Sequence, residues 1–336
     1  MVFWVDEWVA ISPMPSRYNL DFVINNFGAV IILVDPYDLE YDPELLKNKG
    51  LRILHKPIAE LSAPSLIELH EIVDFIVNCI DEGKRVLIHC LAGYGRSGTV
   101  AAGYLAFKYK LTGDEAISRV RDARPGAIES FSQEAVVRAY AILVKLLEPH
   151  EIKAVFNVGE QVNWGRGHRH ASAVAQIALR LWDQLRSELG LGIFEGKALA
   201  IASLLHDIGV TMDSNGHHEK TYEMIMRSSE LKALGEELTR LAALTALHHR
   251  AKTNPFEDPR TKGYEHVVAK LASLLRIADA LDFRSMQVVE DVDVEITSNE
   301  IKLSIYSIDI CNEEVERAMD RAKLLEEITC KKIVIT

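Results

Sequence analysis

Val86-Leu87-Ile88-His89-Cys90-Leu91-Ala92-Gly93-Tyr94-Gly95-Arg96-Ser97-Gly98-Thr99-Val100 is the stretch on which the reading of this chain turns. An apolar run leads into a cysteine, a loop with three glycines follows, and an arginine opens an apolar helix expected over residues 98–109. A loop of this kind turns successive N–H groups inward, and the start of the helix adds positive potential at the same spot. The backbone of Leu91, Ala92, Gly93, Tyr94 and Gly95 is therefore expected to cradle a tetrahedral anion. Cys90 would be the nucleophile, reacting as its thiolate. Arg96 can grip two oxygens of such an anion at once, which lysine cannot do with the same geometry. Ser97 can donate to the Cys90 sulfur while capping the helix.

The order His89-Cys90-x-x-Gly93-x-x-Arg96-Ser97 resembles the signature loop of cysteine-dependent protein tyrosine and dual-specificity phosphatases. Farther on, Arg124-Pro125-Gly126-Ala127-Ile128-Glu129 and Gln133 are similar to a segment of the small atypical dual-specificity phosphatases. The resemblance covers residues 1–148. It implies an α/β fold and phosphomonoester hydrolysis through a phosphocysteine, with no cofactor. These phosphatases protonate the leaving oxygen with an aspartate from a neighbouring loop. Here Pro57-Ile58-Ala59-Glu60-Leu61-Ser62-Ala63-Pro64 offers Glu60 in its place, and a longer carboxyl can do the same work if the loop brings it within reach. Leu91, Ala92 and Tyr94 add no charge beyond Arg96, which suits a substrate carrying a single phosphate.

With 336 residues, 48% hydrophobic and 26% charged, the chain has the composition of a globular protein long enough for two domains. Its net charge of −11 argues against sequence-independent binding to nucleic acid or to an acidic membrane. Cys79, Cys90, Cys311 and Cys330 show no paired spacing, so a reducing, cytoplasmic compartment is expected. No apolar run reaches bilayer length, and Asp6 and Glu7 replace the basic start of a leader. In the first 148 residues, strands are expected at 8–12 (an edge strand), 29–34, 51–57 and 86–88, with helices over 66–80 and 133–147 and a solvated loop over 35–44. Strands alternating with helices point to a mainly parallel sheet with its site at the carboxyl ends of the strands.

Past Glu148-Pro149-His150 the pattern changes. Helical periodicity runs over 170–189, 197–206, 220–227, 236–249 and 265–282, giving an all-α domain over 151–287, and 288–336 reads as strand, strand, helix, strand. Most of the chain's 12 histidines fall in this half. His170, the pair His206-Asp207, the pair His217-His218, the pair His248-His249 and Asp279 sit at helix ends in apolar surroundings. A cluster of imidazoles and carboxylates there is better explained by Mn, Fe, Co, Ni or Zn than by Ca.

This order resembles the HD superfamily of metal-dependent phosphohydrolases, and the surrounding words are most similar to the HD domain of exopolyphosphatase and guanosine pentaphosphate phosphohydrolase proteins. By that resemblance His170, His206, Asp207 and Asp279 would be core ligands, with Asp207 bridging two ions. His218 and His249, joined by His248, would complete the second ion site, and Lys220, Arg250 and Arg276 would contact phosphate. The chemistry implied is hydrolysis of a phosphate ester, such as a nucleotide, by metal-activated hydroxide. The expected partners are a phosphorylated small molecule, a nucleotide or a phosphoprotein, and helical domains of this family also self-associate into homo-oligomers. The alternative is one active domain with the other serving as a sensor for a phosphorylated ligand.

Overall fold

Three apolar runs of the front half, Val9–Ser12, Ala29–Ile32 and Val86–His89, are buried along their whole length, as a parallel sheet covered on both faces requires. The computed structural model describes residues 1–336, which form two compact units, Met1–Ala141 and Ile142–Thr336. In the first unit β1 (Phe3–Trp4), β2 (Val9–Ser12), β3 (Ala29–Ile32), β4 (Arg52–His55) and β5 (Val86–His89) make one sheet in the order β1-β2-β5-β3-β4. All neighbours are parallel except β1 and β2. The expected edge strand at 8–12 is in fact interior, because the short β1 pairs antiparallel along its outer side. β5 is central, so the residue that follows it, Cys90, emerges at the middle of the carboxyl edge.

Helices α1 (Leu20–Asn26), α2 (Pro43–Lys47), α3 (Leu66–Asp81), α4 (Gly95–Tyr109), α5 (Gly113–Ala123) and α6 (Phe131–Leu146) complete the front of the chain. Ser65 and Glu68 close a capping box at the start of α3, which fixes that end by satisfying two of its free donors. The segment 35–44, expected as a solvated loop, instead contains a 3-10 turn over Pro36–Asp38 and the start of α2, capped by Asp35 and Asp42. Its Tyr41 is buried.

The second unit holds α7 (Pro149–Gln161), α8 (His168–Leu189), α9 (Ile193–Leu205), α10 (His217–Arg227), α11 (Ser229–Lys232), α12 (Glu236–Leu247) and α13 (Glu265–Leu281). The expected break at 148–150 is where α7 begins, with Pro149 in its first turn. The tail adds β6 (Val289–Ile296), β7 (Glu300–Ser307), α14 (Asn312–Arg321), α15 (Lys323–Thr329) and β8 (Lys332–Ile335). Two helices stand where one was expected, divided at Ala322. The sheet order is β6-β7-β8. α8 covers the free edge of β6: the Gln184 amide accepts from Val294 N and donates to Val292 O, and Arg180 grips Asp291 at 2.6 Å. Covering an edge in this way removes a template for pairing with another chain. No helix is long and apolar enough to cross a membrane.

Candidate active sites

Cys90 leaves β5 directly into the turn that starts α4, and the helix begins at Gly95 rather than Gly98. Arg96 and Ser97 therefore stand in its first turn, where unpaired N–H groups collect. The Cys90 sulfur is buried, receives Gly93 N–H at 3.2 Å, and lies 3.5 Å from Ser97 Oγ. Gly93 has φ +73°, and a Cβ there would meet Pro13 N at 2.3 Å, so only glycine lets the loop pass this close to the end of β2. Arg96 is also buried and donates to Ile58 O at 3.0 Å, which ties the loop carrying Glu60 to the cradle.

The outer side of the cradle is held by Arg124. It donates to Gly93 O and Ala92 O and stacks on Tyr94, 3.6 Å from the ring centroid. With those carbonyls engaged outside, the loop's N–H groups are left to face inward. Tyr94 is half-buried by this contact, whereas Leu91 and Ala92 are exposed. Behind the cysteine, the Tyr41 hydroxyl meets His89 Nε2 at 2.6 Å and His89 Nδ1 meets Cys90 O at 3.2 Å. Burial pushes His89 down to about 4, so a neutral ring donates through Nδ1 and accepts through Nε2. Arg124 and Tyr41 were not singled out from the sequence. Only the position of Arg124 in the Arg-Pro-Gly segment pointed to it.

Two carboxyls stand near this loop. Glu60 is exposed in the turn after Ile58, next to Leu61 at φ +60°. Glu129 was not expected: its Oε2 lies 2.7 Å from where a Gly95 Cβ would be. Ile128, at φ +62°, turns the chain there by donating N–H to Tyr94 O. Buried Gln133 joins the two segments, accepting from Glu129 N and donating to Ser62 O.

The second unit gathers its polar residues where helices end. α9 stops at His206-Asp207 because Thr221 Oγ1 donates to His206 O and accepts Gly209 N–H, each at 3.0 Å. Gly209 has no room for a side chain, since a Cβ would meet His217 O at 2.3 Å. His249 follows α12, Asp279 lies in the last turn of α13, and His170 is in the first turn of α8. His170 Nε2, His206 Nε2, Asp207 Oδ2 and Asp279 Oδ1 form one set, with separations of 3.3–3.6 Å. Asp207 Oδ1, His217 Nε2 and His249 Nε2 form another, with separations of 3.1–3.7 Å. Atoms of each set that can ligate a metal lie within 4.8 Å of one another.

The far side of every ring is fixed. His206, His217 and His249 point Nδ1 at the carbonyls of Ser203, Ser214 and Ala246, and His170 points its own at Asp282 Oδ2 (2.8 Å). Carbonyls and carboxylates only accept, so each Nδ1 carries the hydrogen and each Nε2 presents a lone pair to the cluster. Lone pairs facing one another at 3.1 and 3.3 Å repel unless a cation lies among them. Ligands about 2.1 Å from an ion leave neighbouring donors roughly 3.0–3.5 Å apart, within a few tenths of an ångström of the 3.1–3.7 Å found here. The buried Asp207 Oδ1 also has no hydrogen-bond donor. Burial opposes a charge on His170, yet without a cation the carboxylates of Asp207, Asp279 and Asp282 hold its ring up to about 10, so a proton occupies the Nε2 lone pair that a metal ion would take instead.

His218 is not in either set. Successive residues on a helix point about 100° apart, so with His217 turned inward, His218 faces elsewhere and its buried Nδ1 has no partner. His248 also stands outside, 3.5 Å from Asp258, and burial pushes it down to about 4. Arg276 is a structural tie rather than a phosphate contact: it donates to His248 O and Thr253 O. Lys220 pairs with Glu223 at 3.3 Å on the rim of a cavity of about 370 Å³. Arg250 is half-buried in the turn after His249. Burial pushes His218 down, while His217 is raised against its burial by Asp207 and Ser214 O, and the charge of Arg250 opposes a proton on either ring only weakly.

The sequence reading put His218 where His217 stands in the second set, and it missed Arg166 altogether. Its Nη1 lies 3.1 Å from His170 Nε2, 3.6 Å from Asp207 Oδ2 and 3.7 Å from Asp279 Oδ1.

Residues 10–143 match the family Dual specificity phosphatase, catalytic domain, and residues 162–326 match Ppx/GppA phosphatase, domain III. The chain joins a domain of each family. Both matching family models are those of phosphatases. The dual-specificity part is 31% identical over 141 residues to the phosphatidylglycerophosphate phosphatase PTPMT2 of Arabidopsis thaliana, covering 41% of this chain and 62% of that one. The chain is 26% identical over 228 residues to protein tyrosine phosphatase domain-containing protein 1 of Danio rerio, covering 66% of this chain and 29% of that one. The chain thus spans less than two thirds of the length of either curated relative. Among solved structures, the active form of Tk-PTP is 41% identical, with a TM-score of 0.41 over 42% of this chain and 95% of that one.

Proposed function

We infer that the two domains hydrolyse phosphate esters by unrelated chemistries, sulfur in the first and divalent transition metal in the second. In the dual-specificity domain Cys90 Sγ attacks phosphorus while Arg96 and the inward N–H groups of residues 91–95 take up the charge on the phosphoryl oxygens. The bond to the leaving oxygen breaks as a carboxyl, Glu60 or Glu129, supplies a proton. Water then displaces sulfur from the phosphocysteine, and Ser97, 3.5 Å from Sγ, donates to the departing thiolate. Arg96 is the one buried cation of the loop sequence, which favours a monoester with one phosphate, such as a phosphotyrosine side chain or the headgroup phosphate of a lipid.

In the second domain His170, His206, Asp207 and Asp279 would hold one ion, and Asp207, His217 and His249 the other. Such ions polarise phosphoryl oxygens and lower the pKa of water. The protein's own contribution is orientation, through the four Nδ1 anchors. The observation that carries this half is the division of the Asp207 carboxylate, one oxygen to each set.

The test is hydrolysis of p-nitrophenyl phosphate and of phosphotyrosine, lipid and nucleotide monoesters by wild type, Cys90→Ser and Asp207→Asn, with chelator or added Mn. Chelator-resistant turnover should vanish with Cys90→Ser, and metal-stimulated turnover with Asp207→Asn. Wild-type rates from both variants on every ester would end the two-site reading. If one domain turns over nothing yet binds a phosphorylated compound, that domain is a sensor.

A further inference from the structure

We propose that Arg166 is the phosphate clamp of the metal-type site, the group that grips the phosphoryl oxygens of the substrate from the open side of the cluster. The inference rests on the metal reading of His170, His206, Asp207 and Asp279.

The backbone around Arg166 is built to present it. Asn163, Trp164, Gly165 and Gly167 have φ of +48°, +56°, +71° and +100°, left-handed conformations that cost energy at the two non-glycine positions. Gly165 passes so close to the end of α9 that a Cβ would fall 2.0 Å from Asp207 O. Arg166 is thus tied in position to the shared carboxylate, and strain of this kind persists only where the surroundings impose it.

A second segment holds the guanidinium from the other side. Nη2 donates to Phe283 O and to Ser285 Oγ (2.7 Å). That segment is itself turned by Ser285 and Gln287 at φ +55° and +52°. It is fastened through Gln287 N to Asp282, whose other oxygen orients His170. The clamp and a ligand are therefore set by one carboxylate.

Exposure gives the direction of approach. The side chains of His170, His206 and Asp207 are 0%, 1% and 4% exposed, whereas Asp279 is 24% and Arg166 30% exposed. The set opens only where Asp279 and Arg166 stand, so a phosphoryl group reaching the ions passes the guanidinium. Arginine presents several donors in a planar fork, which matches phosphate oxygens, and two of its nitrogens can serve the substrate in turn. A cation held mainly to balance Asp207 and Asp279 would need no such exposure.

The experiment measures inorganic phosphate binding by calorimetry on the full-length chain loaded with Mn. It is done in an Arg96→Met background, so that the front loop does not contribute. Arg166→Gln and Arg166→Lys are compared with that background, with metal content and melting recorded for each. The expected result is phosphate affinity about tenfold to a hundredfold lower in both variants at unchanged Mn stoichiometry. Ser285→Ala, which loosens the clamp without removing it, should raise KM for a metal-dependent ester while leaving Mn content alone. Unchanged phosphate affinity at full Mn loading overturns the proposal, as does tighter Mn binding with no change toward phosphate, which would make Arg166 a stand-in cation. Failure of the background protein to take up Mn would instead overturn the metal reading on which the clamp rests.

Discussion

Asp207 Oδ1 lies 3.1 Å from His217 Nε2, while the other oxygen of the same carboxylate faces His170 and His206. One residue thereby belongs to both sets, and the two should be lost together only when it is changed. Asp207→Asn is expected to remove both metal equivalents, as read by elemental analysis of purified protein. His217→Ala is expected to remove one, lowering affinity at its own set by two orders of magnitude or more. Loss of a single equivalent from Asp207→Asn would refute the shared role.

His218→Ala should retain its full metal complement. His217 and His218 are adjacent in the chain and both buried or nearly so, and no spacing rule separates them, because either can be the inward member of a pair at a helix start. The choice is made by Gly209, which lets the start of α10 close on the end of α9. Full metal from His217→Ala with loss from His218→Ala would reverse the assignment.

The same distinction explains what the sequence could carry. Cys90, Arg96, His170, His206, Asp207 and Asp279 could be singled out because fixed spacing or neighbouring apolar words marked them, and the last four lie together in the structure. The interior strands β2, β3 and β5 were legible because each is a short, mainly apolar run. Arg166 was not, since its role depends on four left-handed residues around it and on a segment more than a hundred positions later. Arg276 was misread for the converse reason: a cation among ligating residues looks like a phosphate contact until its donors are seen to end on backbone carbonyls. Tyr41 lay in an acidic stretch that reads as solvated, and only the tertiary contact with His89 buries it.

Ser97 stands 3.5 Å from Cys90 Sγ, a distance at which its hydroxyl helps most when sulfur leaves as thiolate. Ser97→Ala should therefore slow breakdown of the phosphocysteine more than its formation. A burst of p-nitrophenol, absent or small in wild type, should precede a steady rate reduced about tenfold to a hundredfold. A uniformly slower reaction with no burst would place the effect of Ser97 in folding the loop.

The leaving-group proton distinguishes Glu60 from Glu129. Removing the true acid should flatten the high-pH limb of the kcat profile and cost about a hundredfold or more for an alkyl phosphate. The loss should be smaller for p-nitrophenyl phosphate, whose leaving group needs little help. Glu129 is set against Gly95 at the head of α4 and its backbone is fixed by Gln133, so Glu129→Gln is expected to show this signature and Glu60→Gln a weaker one. The opposite ranking would return the role to the loop after Ile58.

His70 gives the first unit a pH dependence of its own. Its ring is buried between α3 and α6, with Nδ1 2.9 Å from Tyr140 OH, and burial pushes it down from 6.5 to about 4. The unfolded chain takes up this proton near pH 6.5 and the folded chain only near 4, so between those values the unfolded state binds more protons and stability drops as the pH is lowered. Above 6.5 the contribution is complete. Within the window the slope reaches about 1.4 kcal/mol per pH unit for this one imidazole. His70→Gln, which keeps a polar partner for Tyr140 but cannot titrate, should lie below wild type at pH 7 and lose less on acidification. Denaturant titrations at pH 7, 6 and 5 measure the difference between the two chains, and because every other titrating group is common to both, parallel losses would show that His70 does not set the acid limit.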